Sequence, residues 1–316
     1  MPLDVMHRGP RLLQIGPLPD GLQQRLDASY TVDRLWLEPD RAAFLAQAAP
    51  YAGAVTMSRH GCDDLVLQAL AGRVLACFGV GTERIDLPAA RRHGVTVSNT
   101  PDVLTGCVAD FAWGLLLAVA RQIPQAHAFV RSGSWTQRSF GLGTRVHGKR
   151  LGIVGLGRIG MAIRHRASGF DMDVRYQGPS AKTGVPGFEP DLRALAAWAD
   201  CLMVTAPGGP STQHLIDASV LKALGPQGIL INVARGSVVD EVALQEALRQ
   251  SWIQGVGLDV FEREPDVPAA LLADDRVVVQ PHIAASTRET RAAMEQLVLD
   301  NLSAFLSDGQ VLTPVD

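Results

Sequence analysis

Cysteine is scarce: four residues in 316, Cys62, Cys77, Cys107 and Cys201, with no C-x-x-C spacing among them. That argues against a disulfide frame or a cysteine zinc site and predicts reduced, mostly buried thiols in a cytoplasmic protein. An excess of positive charge is missing too. Lys plus Arg number 29 against 32 Asp plus Glu, a formal net charge of −3, which leaves nothing to condense on a phosphate backbone and argues against nucleic acid as a partner. Long apolar runs are absent. The greasiest segment, Val108 to Ala120, contains Asp110 and falls short of the roughly 18 residues of a membrane span, so it reads as a buried helix. Met1 to Asp20 is interrupted by Pro2, Pro10, Pro17 and Pro19 and builds no secretory signal, so the protein is expected to stay where it is made. Against these absences stand 47% hydrophobic and 19% charged residues, with 31 Gly and 19 Pro scattered along the chain, the composition of a globular protein. At roughly 150 residues per domain the length predicts two domains.

Short β-rich runs alternate with helix-length segments from the start: Leu12 to Ile15, Val32 to Leu35, Ala54 to Met57, Val74 to Phe78 and Val95 to Ser98. Such alternation predicts a parallel sheet covered on both faces, because parallel neighbours need a crossover. Thr100 to Ala120 reads as one long apolar helix, and 121–150, with Trp135, Phe140 and several glycines, as an extended arm. A second alternating series begins at Leu151, with strands expected at Leu151 to Val154, Asp173 to Gln177, Cys201 to Thr205, Gly228 to Val233, Gly255 to Val260 and Val277 to Gln280. The last element follows Ser286, which with Glu289 matches a capping box, and lines up Met294, Leu297, Val298, Leu302 and Phe305 on one face. A lone C-terminal helix must pack on something already built, and the N-terminal unit is the economical choice. The expected organisation is therefore α/β, two doubly wound parallel-sheet domains: one discontinuous, 1–99 with 286–316, and one of 100–285, with crossings near Asn99 and Ala285.

The sharpest local signal is Leu151-Gly-Ile-Val-Gly-Leu-Gly-Arg-Ile-Gly160, a strand running into Gly155, Gly157 and Gly160 and then a helix. The first glycine permits a tight turn, the second lets backbone approach a pyrophosphate, and the third lets helix and strand pack closely. The helix N-terminus adds N–H groups and a positive dipole end, so the segment predicts a dinucleotide. An acid about 20 residues on would bind the ribose of NAD. From Val174 to Phe188 there is no carboxylate, and Gly178 is followed by Ser180 and Lys182, a hydroxyl and a cation where a 2′-phosphate would lie. NADP is the expected coenzyme, with NAD the alternative and a solvated turn the plain reading.

Arg235, Glu264 and His282 each sit just past an expected strand. In open α/β sheets the ligand crevice lies outside the carboxyl ends of the strands, so groups far apart in sequence converge there. A guanidinium can clamp a carboxylate, and a carboxylate beside an imidazole favours the protonated ring. Together these suit carbonyl reduction. Singly, each also has a plain structural role, as a surface ion pair, a loop charge and a core histidine. In the N-terminal unit Phe78-Gly-Val-Gly-Thr82 offers consecutive amides, the makings of an anion nest or of a simple turn, and Ser58-Arg59-His60 also follows a strand end.

These residues, in this order, resemble the D-2-hydroxyacid dehydrogenases, most closely the glyoxylate/hydroxypyruvate and hydroxyphenylpyruvate reductase branch. The resemblance covers nearly the whole chain and includes Phe78-Gly-Val-Gly-Thr-Glu-Arg-Ile-Asp86, Asn99-Thr-Pro-Asp-Val-Leu-Thr105, Gly152-Ile-Val-Gly-Leu-Gly-Arg-Ile-Gly160, Ile231-Asn-Val-Ala-Arg-Gly236, Leu258-Asp-Val-Phe-Glu-Arg-Glu-Pro265 and Pro281-His-Ile-Ala284. It implies a flavodoxin-like substrate domain and a Rossmann cofactor domain. It further implies His282 as the acid/base on the keto oxygen, Glu264 as its partner, Arg235 on the substrate carboxylate and carbonyl, and the amides of Val80 and Gly81 on that carboxylate. For the coenzyme it implies Gly155, Gly157, Arg158, Ile159 and Gly160 at the pyrophosphate, Thr205 and Pro207 by the adenosine, and Val233 and Asp259 at the nicotinamide end. The Gly-Pro-Ser sequence in place of the NAD acid resembles NADP-preferring members but lacks their usual arginine, whose work would fall to Ser180 and Lys182. Glu264 stands where the formate dehydrogenase branch has glutamine, which argues against that branch. The arm around Trp135 resembles a dimerisation arm and implies a homodimer. The implied activity is reduction of a small 2-keto acid, glyoxylate or hydroxypyruvate. The alternatives are a bulky aromatic keto acid such as 4-hydroxyphenylpyruvate and a nucleotide-sensing, corepressor-like binding protein.

Overall fold

The structure, a computed structural model, describes residues 9–47 and 50–315. The start of the segment read against a secretory signal therefore lies outside the described residues. The chain divides into one unit of Met1–Leu104 with Thr287–Asp316 and another of Thr105–Ser286.

The first unit is built on β1 (Arg11–Gln14), β2 (Thr31–Arg34), β3 (Gly53–Met57), β4 (Val74–Phe78) and β5 (Thr96–Ser98), all parallel, in the order β2-β1-β3-β4-β5. That is the flavodoxin-like order, with its switch point between β1 and β3. β4 is buried at every position, as a strand covered on both faces must be. Leu13, Val66, Leu67 and Leu75 form part of its core. The C-terminal helix Arg288–Asp308 belongs to this unit, its Arg291 guanidinium 5.4 Å from the centre of the Phe78 ring. After it the chain returns to the sheet, where the Val315 N–H donates to Val97 O at 2.9 Å. The N-cap of this helix is Thr287, whose side chain accepts from the Thr290 N–H. The capping box expected on Ser286 and Glu289 is thus displaced by one residue.

The second unit carries β6 (Arg150–Val154), β7 (Asp173–Gln177), β8 (Cys201–Val204), β9 (Ile229–Asn232), β10 (Gly255–Leu258) and β11 (Val277–Val279), parallel in the order β11-β10-β9-β8-β6-β7. Phe188 bridges in parallel to Tyr176 on the outer side of β7. Counting that bridge as a vestigial strand gives the doubly wound dinucleotide-binding order, with its switch point between β6 and β8. Leu195, Leu202, Leu230, Leu244 and Val256 form part of the core on one face. On the other lies the helix Thr105–Arg121, whose Leu115 and Val119 would stand 3.2 and 3.4 Å from a Cβ added at Gly257 of β10. This helix starts five residues later than expected. Thr100 is fully buried, its hydroxyl accepts the Gly79 N–H at 3.0 Å, and Asp102 has φ +64, so these residues form a turn. The stretch read as an extended arm also contains a helix, Ile123–Arg131, and a short 3₁₀ turn, Ser134–Thr136. Among the described residues no single helix is long and apolar enough to cross a membrane.

Candidate active site

In the second unit Arg235 follows β9, Glu264 follows β10 and His282 follows β11. β9 ends in the buried Asn232, whose Oδ1 accepts the Ala234 N–H at 3.0 Å and whose Nδ2 donates to Arg235 O at 2.9 Å. One buried amide thus folds the turn that carries Arg235, and the guanidinium donates to Ala234 O at 2.8 Å. At Gly236 an added Cβ would stand 1.9 Å from the Phe261 carbonyl carbon and 2.0 Å from its oxygen. Only glycine lets the Arg235 loop lie against the start of the Glu264 loop.

Asp259, 1% exposed, organises the other side. Its Oδ1 and Oδ2 accept the N–H groups of Ile283 and Ala284 at 2.8 and 2.9 Å, and its carbonyl accepts the His282 N–H at 2.9 Å. These three bonds hold His282 at φ +56, a conformation uncommon outside glycine. The ring then meets Glu264, with Nδ1 2.7 Å from Oε2, while Glu264 Oε1 accepts the Phe261 N–H at 3.2 Å. The His282 side chain is 50% exposed, and among the described residues nothing is hydrogen-bonded to its Nε2.

Burial pushes the Glu264 carboxyl up, but the hydrogen bond and charge of His282, the Phe261 amide and the Arg235 charge together outweigh it and leave the group below its ordinary value. At Asp259 the balance falls the other way: burial prevails over the two backbone amides and His282, and the carboxyl is raised. The result is an imidazole held by a carboxylate on one nitrogen and open on the other, with a guanidinium whose charge reaches the same carboxylate. Such a group can bind an anion and pass a proton to a neighbouring oxygen.

The glycine loop lies at the switch point of the same sheet. Gly155 has φ +92, and a Cβ there would stand 2.6 Å from the Ala206 nitrogen; at Gly160 it would stand 2.4 Å from Gly155 O. Thr205 Oγ1 ties the two strands by donating to Gly155 O at 2.5 Å. Among the described residues a Cβ at Gly157 meets nothing within 4 Å, and no side chain caps the helix Arg158–Ala167 that starts there. Open space over an uncapped helix start, beside Arg158 and Ile159, fits the pyrophosphate of a dinucleotide.

The remaining expected residues are more dispersed. Val233 is buried, and its N–H donates to Val204 O at 3.4 Å. Pro207 is exposed and its carbonyl accepts from Thr212 Oγ1 at 2.6 Å. Ser180 and Lys182 are exposed beyond β7, where the Lys182 N–H donates to Tyr176 Oη at 2.7 Å. Val80 and Gly81 belong to the first unit, after β4; Val80 O accepts from Asn99 Nδ2 at 2.8 Å, and among the described residues no acceptor meets the two N–H groups. In that unit Ser58 Oγ contacts Cys77 Sγ at 3.7 Å, and His60 Nε2 lies 3.2 Å from Pro17 O. Sequence reasoning missed three groups around the segment that carries Glu264: Glu262, which lies within the Leu258–Pro265 motif but was given no role, and its partners His214 and Glu241, which no motif spacing singles out.

Residues 113–284 match the family model described as D-isomer specific 2-hydroxyacid dehydrogenase, NAD binding domain. The hydroxyphenylpyruvate reductase of Plectranthus scutellarioides is 43% identical over 96% of this chain and 98% of its own length. The 2-ketogluconate reductase of Gluconobacter oxydans is 42% identical over 98% of this chain and 100% of its own. Among solved structures, an NADPH-dependent glyoxylate/hydroxypyruvate reductase from Sinorhizobium meliloti, in complex with NADP and malonate, superposes with a TM-score of 0.88 at 40% identity, covering 97% of this chain and 96% of that one. The chain therefore belongs to the D-isomer specific 2-hydroxyacid dehydrogenases, a family of NAD(P)-dependent oxidoreductases.

Proposed function

We propose that the chain reduces a small 2-keto acid, glyoxylate or hydroxypyruvate first, to the D-2-hydroxy acid, with NADPH as the preferred coenzyme. The observation that carries this reading is the 2.7 Å contact of His282 Nδ1 with Glu264 Oε2, which leaves Nε2 presented outward. Bound coenzyme would supply the hydride that the keto carbon receives. Arg235 holds the substrate carboxylate and turns the carbonyl toward His282; the amides of Val80 and Gly81, without acceptors in their own unit among the described residues, are offered as donors to a carboxylate. His282 Nε2 gives its proton to the keto oxygen, and Glu264 stabilises the ring while it carries that proton. Asp259 keeps the ring in place through its bonds to the following backbone. Gly155, Gly157, Arg158, Ile159 and Gly160 receive the pyrophosphate, Thr205 and Pro207 border the adenosine, and Val233 lies at the nicotinamide end. Ser180 and Lys182 take the 2′-phosphate; the absence of a carboxylate from Val174 to Phe188 supports this, as does the NADP complex of the Sinorhizobium meliloti relative.

The similarity to a hydroxyphenylpyruvate reductase favours a second reading, in which the same chemistry acts on a bulky aromatic keto acid. The test is coenzyme oxidation on a panel of glyoxylate, hydroxypyruvate and 4-hydroxyphenylpyruvate with NADPH and NADH. The highest kcat/KM is expected for a small acid with NADPH. Preference for the aromatic acid would overturn the substrate assignment, and binding of coenzyme without turnover on any 2-keto acid would favour a nucleotide sensor.

The arm carries exposed Ile123, Val130, Trp135 and Leu142, the last 96% exposed. Apolar surface of this kind supports a homodimer formed through the arm. Trp135→Ala should shift the chain to monomers in sedimentation analysis, and an unchanged mass distribution would contradict the assignment. Cys62, Cys77, Cys107 and Cys201 form no disulfide among the described residues, which supports a reducing cytoplasm.

A further inference from the structure

Outside every motif used so far, two side chains grip the segment that carries Glu264. His214 Nε2 lies 2.5 Å from Glu262 Oε1, and the Glu262 N–H donates to Glu241 Oε1 at 2.8 Å. Glu262 is thus held by its side chain and its backbone, two residues before Glu264. The far end of each tether is fixed to the Arg235 loop. The His214 N–H donates to Ser237 O at 2.8 Å, the Ile216 N–H donates to Val238 O at 2.9 Å, and the Asp240 N–H returns to Ile216 O at 3.0 Å. Glu241, 9% exposed, opens the next helix of that loop, Glu241–Arg249. His214 holds its place at φ +51, a left-handed conformation that disfavours a residue with a Cβ. Charges around the clamp are Asp240, whose Oδ2 lies 4.0 Å from His214 Nδ1, and Arg263, whose field reaches Glu241.

We propose that His214 and Glu241 are positioning residues for the reaction: by clamping Glu262 they fix the Glu264–His282 pair against the Arg235 loop. The inference rests on the acid/base reading given above. Neither residue touches reacting atoms. Releasing the clamp frees the Phe261–Pro265 segment to move off the Arg235 loop, which lengthens the Glu264–His282 contact and slows proton delivery. The glycine loop after β6 is left as it was.

His214→Gly removes the tether and relieves the left-handed backbone at once, so loss of fold is not the expected outcome. It should lower kcat about tenfold, the order of one hydrogen bond to a charged group, with coenzyme affinity held within about twofold. Glu241→Ala should behave alike, and Glu241→Gln, which keeps an acceptor oxygen, should restore most of kcat. The deciding measurement is kcat of His214→Gly in the wild-type and Glu264→Gln backgrounds. Because the clamp acts through Glu264, the loss should shrink to about twofold or less in the second background. Equal losses in both backgrounds, or no loss in the first, would overturn the clamp. Wild-type turnover by Glu264→Gln alone would instead overturn the acid/base reading, and the clamp with it.

Discussion

Replacing Gly236 by alanine puts a Cβ 1.9 Å from the Phe261 carbonyl carbon, 2.0 Å from its oxygen and 2.3 Å from the Glu262 nitrogen. All three are backbone atoms, so no change of rotamer relieves the clash. Since Cβ contacts under 3.0 Å essentially never occur, the Arg235 loop and the Phe261–Glu262 segment must part by about 1 Å or more. Overpacking of this kind costs roughly 1–3 kcal/mol. In a unit the size of Thr105–Ser286, each kcal/mol lowers Tm by roughly 2–4 °C. Catalysis should suffer more than stability. The displaced segment carries Glu264 while the displaced loop carries Arg235, and a misplacement of about 1 Å costs on the order of 10² in rate. Steady-state 2-keto acid reduction, coenzyme titration by fluorescence and thermal unfolding together decide the matter. Gly236→Ala should lose about 10² in kcat/KM and several degrees in Tm, with coenzyme affinity within about twofold, because the glycine loop hangs on β6. A folded variant with native kcat/KM would refute the claim that this approach sets the distance between Arg235 and the acid pair.

Lys182→Ala should raise KM for NADPH about tenfold, the order of one charge-assisted contact, and leave NADH unchanged; equal effects on both would place the 2′-phosphate elsewhere. Gly160→Ala drives a Cβ to 2.4 Å from Gly155 O, so calorimetry should find both coenzymes bound at least about tenfold more weakly, and native affinity would contradict the pyrophosphate assignment. Glu264 ionises below its ordinary value in the folded chain. Its contribution to stability is therefore complete above the unfolded glutamate value of about 4.3 and is lost as pH falls through the lower folded value. The Tm advantage of wild type over Glu264→Gln should shrink as pH falls below about pH 4.3; an advantage that grows over that acid range would contradict the sign.

How much of this was legible in the sequence depends on whether local pattern or distant contact decided each feature. β4 occupies the residues expected, Val74 to Phe78, because a strand buried on both faces writes a continuous apolar run. The glycine loop is equally plain, since each glycine answers a local steric demand. The helix after Asn99 is shorter than its apolar run predicts, because hydropathy does not register that the Thr100 hydroxyl is committed to the Gly79 amide. The capping-box pattern favours Ser286 with Glu289, and the register falls to Thr287 only once the helix is seated. Arg235, Glu264 and His282 stand out by their place after strands. His214 does not: its partner Glu262 lies 48 residues away, and only the folded sheet brings the two together. The anchoring of His282 by Asp259 is hidden for the same reason, although both belong to recognisable segments.

Whether His282 hands a proton to the keto oxygen is decided by kcat for glyoxylate reduction by His282→Ala at saturating coenzyme, alongside the coenzyme dissociation constant. kcat should fall by roughly 10²–10⁴ with coenzyme affinity unchanged. Turnover within a few-fold of wild type at native affinity would contradict it.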